Sequence, residues 1–263
     1  MEAIRSASNP LVKRARAVRR GREPGLLFLE GAKLCDEALS AGFRPEILFV
    51  SEGRGELLEA YRSKGVEAKL LAAQLFESLG TLVSAADVLG LFEVPAGRPL
   101  AALPSAPDSL VVISAGLQDP GNLGGLARSA EALGAEGLIV LPEGCRPWNE
   151  KALRGSMGSL LRIPVFEPDP MELLETLKAS GFRHVVARTR DGTSPADFDW
   201  GGRIALWITA ETGELSPSVA GHSSDWNAVT IPMTDKTESL NVAVAASILL
   251  FSAKRVGARG VVR

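Results

Sequence analysis

The stretch LVVISAGLQDPGNLGGLARSAEALGAEGLIVL (110–141) decides the architecture. LVVISA (110–115) is an apolar run of buried-strand character, residues 122–134 read as a helix, and GLIVL (137–141) reads as the next strand. The same alternation continues downstream. LLRIPVF (160–166), HVVAR (184–188), RIALWIT (203–209) and AVTIP (228–232) read as further strands, and MELLETLKAS (171–180) fits an amphipathic helix. Residues 238–255 form the longest helical run, with Leu240, Val244, Ile248 and Phe251 near one stripe. Strands alternating with helices predict an α/β domain over 110–263: a mainly parallel sheet with helices on both faces.

Upstream of this block, PAGRPLAALPSAPDS (95–109) has little periodicity and reads as a linker. Residues 1–94 before it form a smaller α/β unit. Asn9 suits an N-cap and Pro10 the first turn of a basic helix. LLFLE (26–30), EILFV (46–50) and GLFEV (90–94) read as strands, with helices at 31–42 and near 54–64.

Hydrophobic residues make up 46% of the 263 and charged residues 23%, ordinary globular values that allow one large domain or two modest ones. The net charge of −2 does not by itself suggest a polyanionic partner, but its distribution is uneven. Residues 1–22 carry Arg5, Lys13, Arg14, Arg16, Arg19, Arg20 and Arg22 against Glu2. Such a run is either a solvated helix face or a contact for phosphates. Cys35 and Cys145 are the only cysteines, which excludes a disulfide framework and a zinc site of three or four thiolates. The first 25 residues lack the apolar core of a signal peptide, and no run approaches the roughly 20 apolar residues of a membrane span. A cytoplasmic protein with reduced thiols is the expectation.

Three segments carry chemistry. DPGNLGGLARSA (119–130) follows a strand and opens a helix, where an anion is favoured. It lacks the spacing of the dinucleotide fingerprint and of the P-loop, and alone it is also an ordinary strand–helix turn. TAETGELS (209–216) places Glu211 just beyond a strand end, where open α/β sheets bind ligands. IPMTDKTESLNVAVAASILL (231–250) runs from a strand end at Pro232 through a polar loop into a long helix, with Ser239 and Asn241 at its start. Ordinary helix capping explains those two equally well.

Taken together and in order, the three segments resemble the motifs of the TrmH/SpoU branch of the SPOUT methyltransferases. Asp119, Pro120, Asn122, Gly124, Arg128, Ser129 and Ala130 match the first, Glu211 and Leu215 the second, and Ile231, Pro232, Met233, Ser239, Leu240, Asn241 and Val242 the third. RGSMGSLLRIPV (154–165) is similar to the stretch between the first two motifs. The front piece is similar to the family's small, ribosomal-protein-like RNA-binding domain. The resemblance implies methyl transfer from S-adenosylmethionine to a ribose 2′-hydroxyl of RNA, ribosomal RNA before transfer RNA. It also implies a homodimer and a deep trefoil knot at the C-terminus, although chains do not ordinarily knot.

The resemblance assigns the site residue by residue. Asn122, Arg128, Glu211, Ser239 and Asn241 are the catalytic set. Thr189, Thr209, Ala210, Glu211, Ile231, Met233, Ser239 and Leu240 surround the cofactor. Lys13, Arg14, Arg16, Arg19, Arg20 and Arg22, together with Arg128, face RNA. A guanidinium stays protonated, so Arg128 is expected to bind phosphate and stabilise developing negative charge rather than act as a base. Asn122 is expected to orient Arg128 or the ribose. No metal or histidine chemistry is required; His184 sits in a strand and reads as structural.

The chain departs from the family where Thr209, Thr212, Glu214 and Asp235 replace usual glycines. Side chains there crowd a cofactor loop, so a non-catalytic RNA-binding protein on the same scaffold is the alternative. A nucleotide-cofactor oxidoreductase is a more distant one. Its support is the glycine-rich turn alone, and the acid about 20 residues further on, Glu143, lies in a PEG turn.

Overall fold

The computed structural model describes residues 3–80, 86–209, 215, 217–234 and 236–257. Contacts divide the chain into two compact units, residues 1–96 with 148–154, and residues 97–147 with 155–263.

The first unit is built on a four-stranded sheet in the order β1-β4-β2-β3. Its elements are α1 (Pro10–Arg19), β1 (Leu26–Glu30), α2 (Ala32–Ser40), β2 (Pro45–Ser51), α3 (Gly55–Ser63), β3 (Ala68–Leu71), α4 (Ala73–Leu79) and β4 (Val88–Glu93). Strand β4 pairs antiparallel with β1 and β2, and β3 lies parallel to β2. Asn9 caps α1 by accepting from the Leu11 amide at 2.9 Å, as its type and the following proline predict. Val12, Ala15 and Val18, three residues apart, face a core of Phe28, Ile47, Phe49 and Leu91. Elements β3 and α4 are not evident in the sequence: AKLL is a short edge strand without clear alternation.

The second unit carries a six-stranded, all-parallel sheet in the order β10-β8-β9-β5-β6-β7. Along the chain come β5 (Leu110–Ala115), α5 (Pro120–Ala132), β6 (Gly137–Val140), then α6 (Glu150–Gly155), which falls in the first unit except for Gly155, and, again in the second, α7 (Ser159–Arg162), β7 (Val165–Phe166), α8 (Pro170–Ala179), β8 (Arg183–Ala187), β9 (Ile204–Thr209), α9 (Pro217–Ala220), β10 (Asn227–Val229) and α10 (Val242–Gly257). From β5 the chain winds outward through β6 to β7, then returns to build β8, β9 and β10 on the other side. This reversal leaves a crevice beyond the carboxyl ends of the strands, the usual place for ligands in such sheets. One face of the sheet packs Val111, Ile113, Ile139 and Trp207 against Leu173 and Leu177 of α8.

Helices α5 and α10 pack closely on each other. A Cβ added at Gly125 would sit 3.1 Å from the Ala243 Cβ, so the glycine sets the helix separation. Ser247 donates to the Ala243 carbonyl at 2.7 Å, and its oxygen lies 2.7 Å from the Ser129 hydroxyl. With its own proton committed, Ser247 accepts from Ser129.

Several expectations are corrected. Residues 160–166 are not one strand. Gly158 takes a left-handed conformation, α7 follows it, and only Val165–Phe166 pair with β6. A short apolar run does not distinguish strand from helix by periodicity, and here Arg162 in helical geometry holds Glu131 at 2.6 and 2.8 Å. Strand β10 stops at Val229 rather than running to Pro232, and α10 begins at Val242 rather than 238. The stripe on α10 also faces the other way. Val244, Ile248 and Phe251 are 49%, 37% and 57% exposed, while Ala246, Leu249 and Leu250 are buried. Residues 97–109, read as linker, lie in the second unit. Leu100 joins its core, and the Arg203 guanidinium donates to the carbonyls of Ser105 and Ala106.

His184 stacks on Trp226 at 4.7 Å and accepts from the Trp207 indole at 3.1 Å. Burial holds its pKa below the ordinary value. No helix among the described residues is long and apolar enough to cross a membrane.

Two outcomes are expected. Gly125→Val should lower the unfolding free energy measured in urea by an overpacking penalty of about 1–3 kcal/mol. The His184 contribution is full above the unfolded-state pKa and lost as pH falls, because the unfolded chain takes up the proton first. The stability advantage of wild type over His184→Gln should therefore shrink between about pH 7.5 and about pH 5 in denaturant titrations.

Candidate functional site

A cleft opens at the carboxyl ends of β8, β9 and β10 and is closed by the start of α10. Its space, open mouth included, is about 600 Å³, within the ordinary range for small-molecule sites. Register explains why these ends meet. Val186 pairs with Trp207 near the end of β9, and Ala187 pairs with Val229 at the end of β10. Thr189 follows β8, Thr209 ends β9, Ile231 and Met233 follow β10, and Ser239 and Leu240 precede α10; all six line the cleft. Ala210 and Glu211, assigned to the same site by the motifs, lie outside the described residues.

The loop after β8 is held tightly against β10. The Arg188 amide donates to the Val229 carbonyl at 2.9 Å, and the Thr193 amide donates to that of Ala228 at 2.9 Å. The Gly192 amide donates to the Thr230 hydroxyl at 2.9 Å. A Cβ at Gly192 would fall 2.6 to 2.8 Å from Thr230 and Val229 atoms, so only glycine admits this approach.

Sequence reasoning missed part of the wall. Ile208, Val229, Val242, Ala245 and Leu249 also line it, and they read as core positions because they are core residues on their other side. Arg188 lines it too and is the one charged side chain among its described lining residues. An arginine in a loop reads as solvated, so no signal marked it.

Asn241 joins the first and third motifs. Its Oδ1 accepts from the amides of Ala243 at 3.0 Å and Val244 at 3.3 Å, capping α10. Its Nδ2 therefore points away from the cap and donates to the Asn122 Oδ1 at 2.9 Å. The capping reading and the site reading are both satisfied by one side chain. Asn122 thus pairs with Asn241; Arg128, one of the two groups it was expected to orient (the ribose being the other), lies six positions further along α5. Six positions turn a helix by about 240°, so the two side chains leave different faces. Arg128 is exposed and has no side-chain partner among the described residues.

The basic run of the first unit is partly committed to its fold. Arg14 pairs with Glu23 at 3.0 Å and with Glu46, and Arg16 donates to the Ser78 hydroxyl at 3.2 Å. Arg19 donates to the Leu79 carbonyl at 2.7 Å. Lys13, Arg20 and Arg22 are exposed, with no side-chain partner among the described residues. Spacing alone did not distinguish these two groups, because the partners are distant in sequence. The described residues hold no cluster of three or more side chains suited to a metal ion.

The model of the SpoU rRNA Methylase family matches residues 109–251. This chain belongs to that family. The match spans β5 through most of α10 and so includes the cleft and the Asn122–Asn241 pair. Among the family's characterised members, the chain is similar to the 23S rRNA (guanosine(2553)-2′-O)-methyltransferase RlmP of Bacillus subtilis, with 28% identity covering 95% of this chain and 98% of that one. It is 34% identical to a 23S rRNA (uridine(2479)-2′-O)-methyltransferase of Streptomyces viridochromogenes, covering 78% of this chain and 72% of the other. Its fold is similar to the AdoMet-bound rRNA methyltransferase of Sinorhizobium meliloti, with a TM-score of 0.85 and 26% identity over 97% of this chain and 98% of that one. The SpoU methyltransferase AviRb of Streptomyces viridochromogenes, solved with AdoMet, gives a TM-score of 0.83 and 28% identity over 96% and 99%.

The double role of Asn241 separates two substitutions. Asn241→Ala removes the cap and should cost about 1 kcal/mol of unfolding free energy, seen as a lower denaturation midpoint. Asn241→Asp keeps a capping oxygen at a helix N-terminus that favours negative charge. It should hold stability near wild type while losing the donor to Asn122. An unchanged midpoint in Asn241→Ala would overturn the capping role.

Proposed function

We propose that this chain is an S-adenosylmethionine-dependent enzyme that methylates a ribose 2′-hydroxyl in structured ribosomal RNA. The observation that carries the reading is the cleft itself: the end of β9, described residues that follow the adjacent parallel strands β8 and β10, and the start of α10 converge on it. The named relatives act on 23S rRNA, and the similar solved structures hold AdoMet, which supports the same cofactor and substrate class here. The residues fit the cofactor by chemistry. Ile208, Val229, Ile231 and Leu240 offer apolar walls for a flat purine, and Thr189, Thr209 and Ser239 offer hydroxyls for its polar edges.

When bound, the cofactor supplies a methyl group on a positively charged sulfur. The chain's residues do the rest. The cleft holds the donor in place, so alignment replaces a bimolecular encounter. Asn241, capped into α10 and bonded to Asn122, fixes the third loop against α5. Arg128, exposed and permanently charged, binds the RNA phosphate beside the target ribose and stabilises the oxygen as it loses its proton. A phosphate oxygen or water receives that proton. Glu211 holds Arg128 or relays the proton.

The first unit supplies RNA affinity through Lys13, Arg20 and Arg22, which are free to neutralise phosphates. Arg14, Arg16 and Arg19 contribute mainly by shaping that surface. The protein acts as a homodimer, supported by the exposed apolar stripe Val244, Ile248 and Phe251 on α10. The trefoil knot implied by the resemblance belongs to the same proposal. Cytoplasmic residence does too, supported by the free thiols of Cys35 and Cys145.

Calorimetry with S-adenosylmethionine and S-adenosylhomocysteine tests the reading. Micromolar binding of both is expected. Arg128→Ala should keep that affinity and lower single-turnover methylation of ribosomal RNA at least about a hundredfold. Absence of binding by folded protein, with RNA present, would turn the reading to a non-catalytic RNA-binding protein. Ile248→Asp should shift the protein from dimer to monomer in sedimentation.

A further inference from the structure

Arg188 has no part in the reading above. Its amide is fixed to the Val229 carbonyl at 2.9 Å, and the residue is among those that line the cleft. It is exposed and has no side-chain partner among the described residues, and no acid is found among the cleft's described lining residues. Arg190, two residues on in the same loop, is also exposed but is not among the lining residues. The loop carrying both is pinned to β10 through Gly192 and Thr193, so the root of Arg188 is placed before any ligand arrives.

A lone cation in this cleft needs an explanation, because the proposed cofactor carries positive charge at its sulfonium and at its α-ammonium. Its α-carboxylate is the one anionic group it has. A guanidinium beside the sulfonium repels it, whereas one beside the carboxylate makes charge-assisted hydrogen bonds, bidentate where geometry allows. Resting on the cofactor reading above, we infer that Arg188 binds the α-carboxylate of the cofactor's methionyl end. Arg188 is then a positioning residue: it selects ligands that carry the amino-acid group and turns that end toward the β8 loop. The purine is left to the apolar wall formed by Ile208, Val229, Ile231 and Leu240.

The test compares two ligands by calorimetry. S-adenosylhomocysteine carries the carboxylate, and 5′-methylthioadenosine keeps the nucleoside and sulfur but lacks the amino-acid group. Arg188→Ala should weaken S-adenosylhomocysteine roughly tenfold, the low end for a charged hydrogen bond open to solvent. It should change 5′-methylthioadenosine by less than about twofold. Arg188→Lys should recover part of the loss, since it keeps the charge without the fork. Arg190→Ala should leave both ligands unchanged. An equal loss for both ligands in Arg188→Ala would make the residue structural and overturn the assignment. So would unchanged S-adenosylhomocysteine affinity accompanied by weaker RNA binding, which would place Arg188 on phosphate. Failure of the wild type to bind either ligand would overturn the cofactor reading itself, a result distinct from a wild type that binds both and a variant that does not discriminate.

Discussion

Helix α10 begins only where its first amides find an acceptor, and that acceptor is the Asn241 side chain. Much of the second unit's site depends on this cap. The same amide, its oxygen committed to the helix, has only its NH₂ left to offer, and Asn122 receives it at 2.9 Å. An unmade bond at either end leaves a polar group without its partner, which costs more than the net worth of a made one. Below the cap, Gly125 against Ala243 and Ser129 against Ser247 keep α5 and α10 at close range. The two helices therefore act as a mount for the 230–241 loop. Ile231, Met233, Ser239 and Leu240 of that loop line the cleft together with the ends of β8 and β9.

The described lining of the cleft is mostly apolar, with the hydroxyls of Thr189, Thr209 and Ser239 and one cation, Arg188. Arg188 is the one charged residue among the described lining, so on the assignment above it governs which ligand orientation is favoured. The opposite arrangement holds in the first unit. There the arginines of α1 stand among Glu23, Glu46 and backbone carbonyls, and several of them are consumed in holding the unit together. Surface ion pairs of this kind add little stability each. Their consequence is selective: among the described residues of the basic run, they leave Lys13, Arg20 and Arg22 without a side-chain partner. Charge counting along the chain overstates the basic surface for that reason.

Much of the fold was legible because its signals are local. Parallel strands buried on both faces read as apolar runs, and 110–115, 137–141, 184–188 and 203–209 each correspond to a strand within a residue or two. Errors arose where a short apolar run had two readings, as at 160–166, and where a cap inside a polar loop moved a boundary, as at Asn241. The candidate site was legible through three motifs in order. Thr189, Thr209, Ile231, Met233, Ser239 and Leu240 line one cleft, while Arg188 carried no pattern that the sequence would show.

By itself, then, the sequence determined the α/β class, the parallel sheet and the family, since apolar periodicity and motif spacing are properties of neighbouring residues. Only the tertiary structure decided which asparagine meets which, which arginines are free, and which face of α10 is exposed. Asn122 and Asn241 are 119 positions apart, and Arg16 and Ser78 are 62 apart. Contacts across such separations depend on how strands order themselves in a sheet and how closely two helices approach. Both are settled by packing of the whole unit, not by local preference.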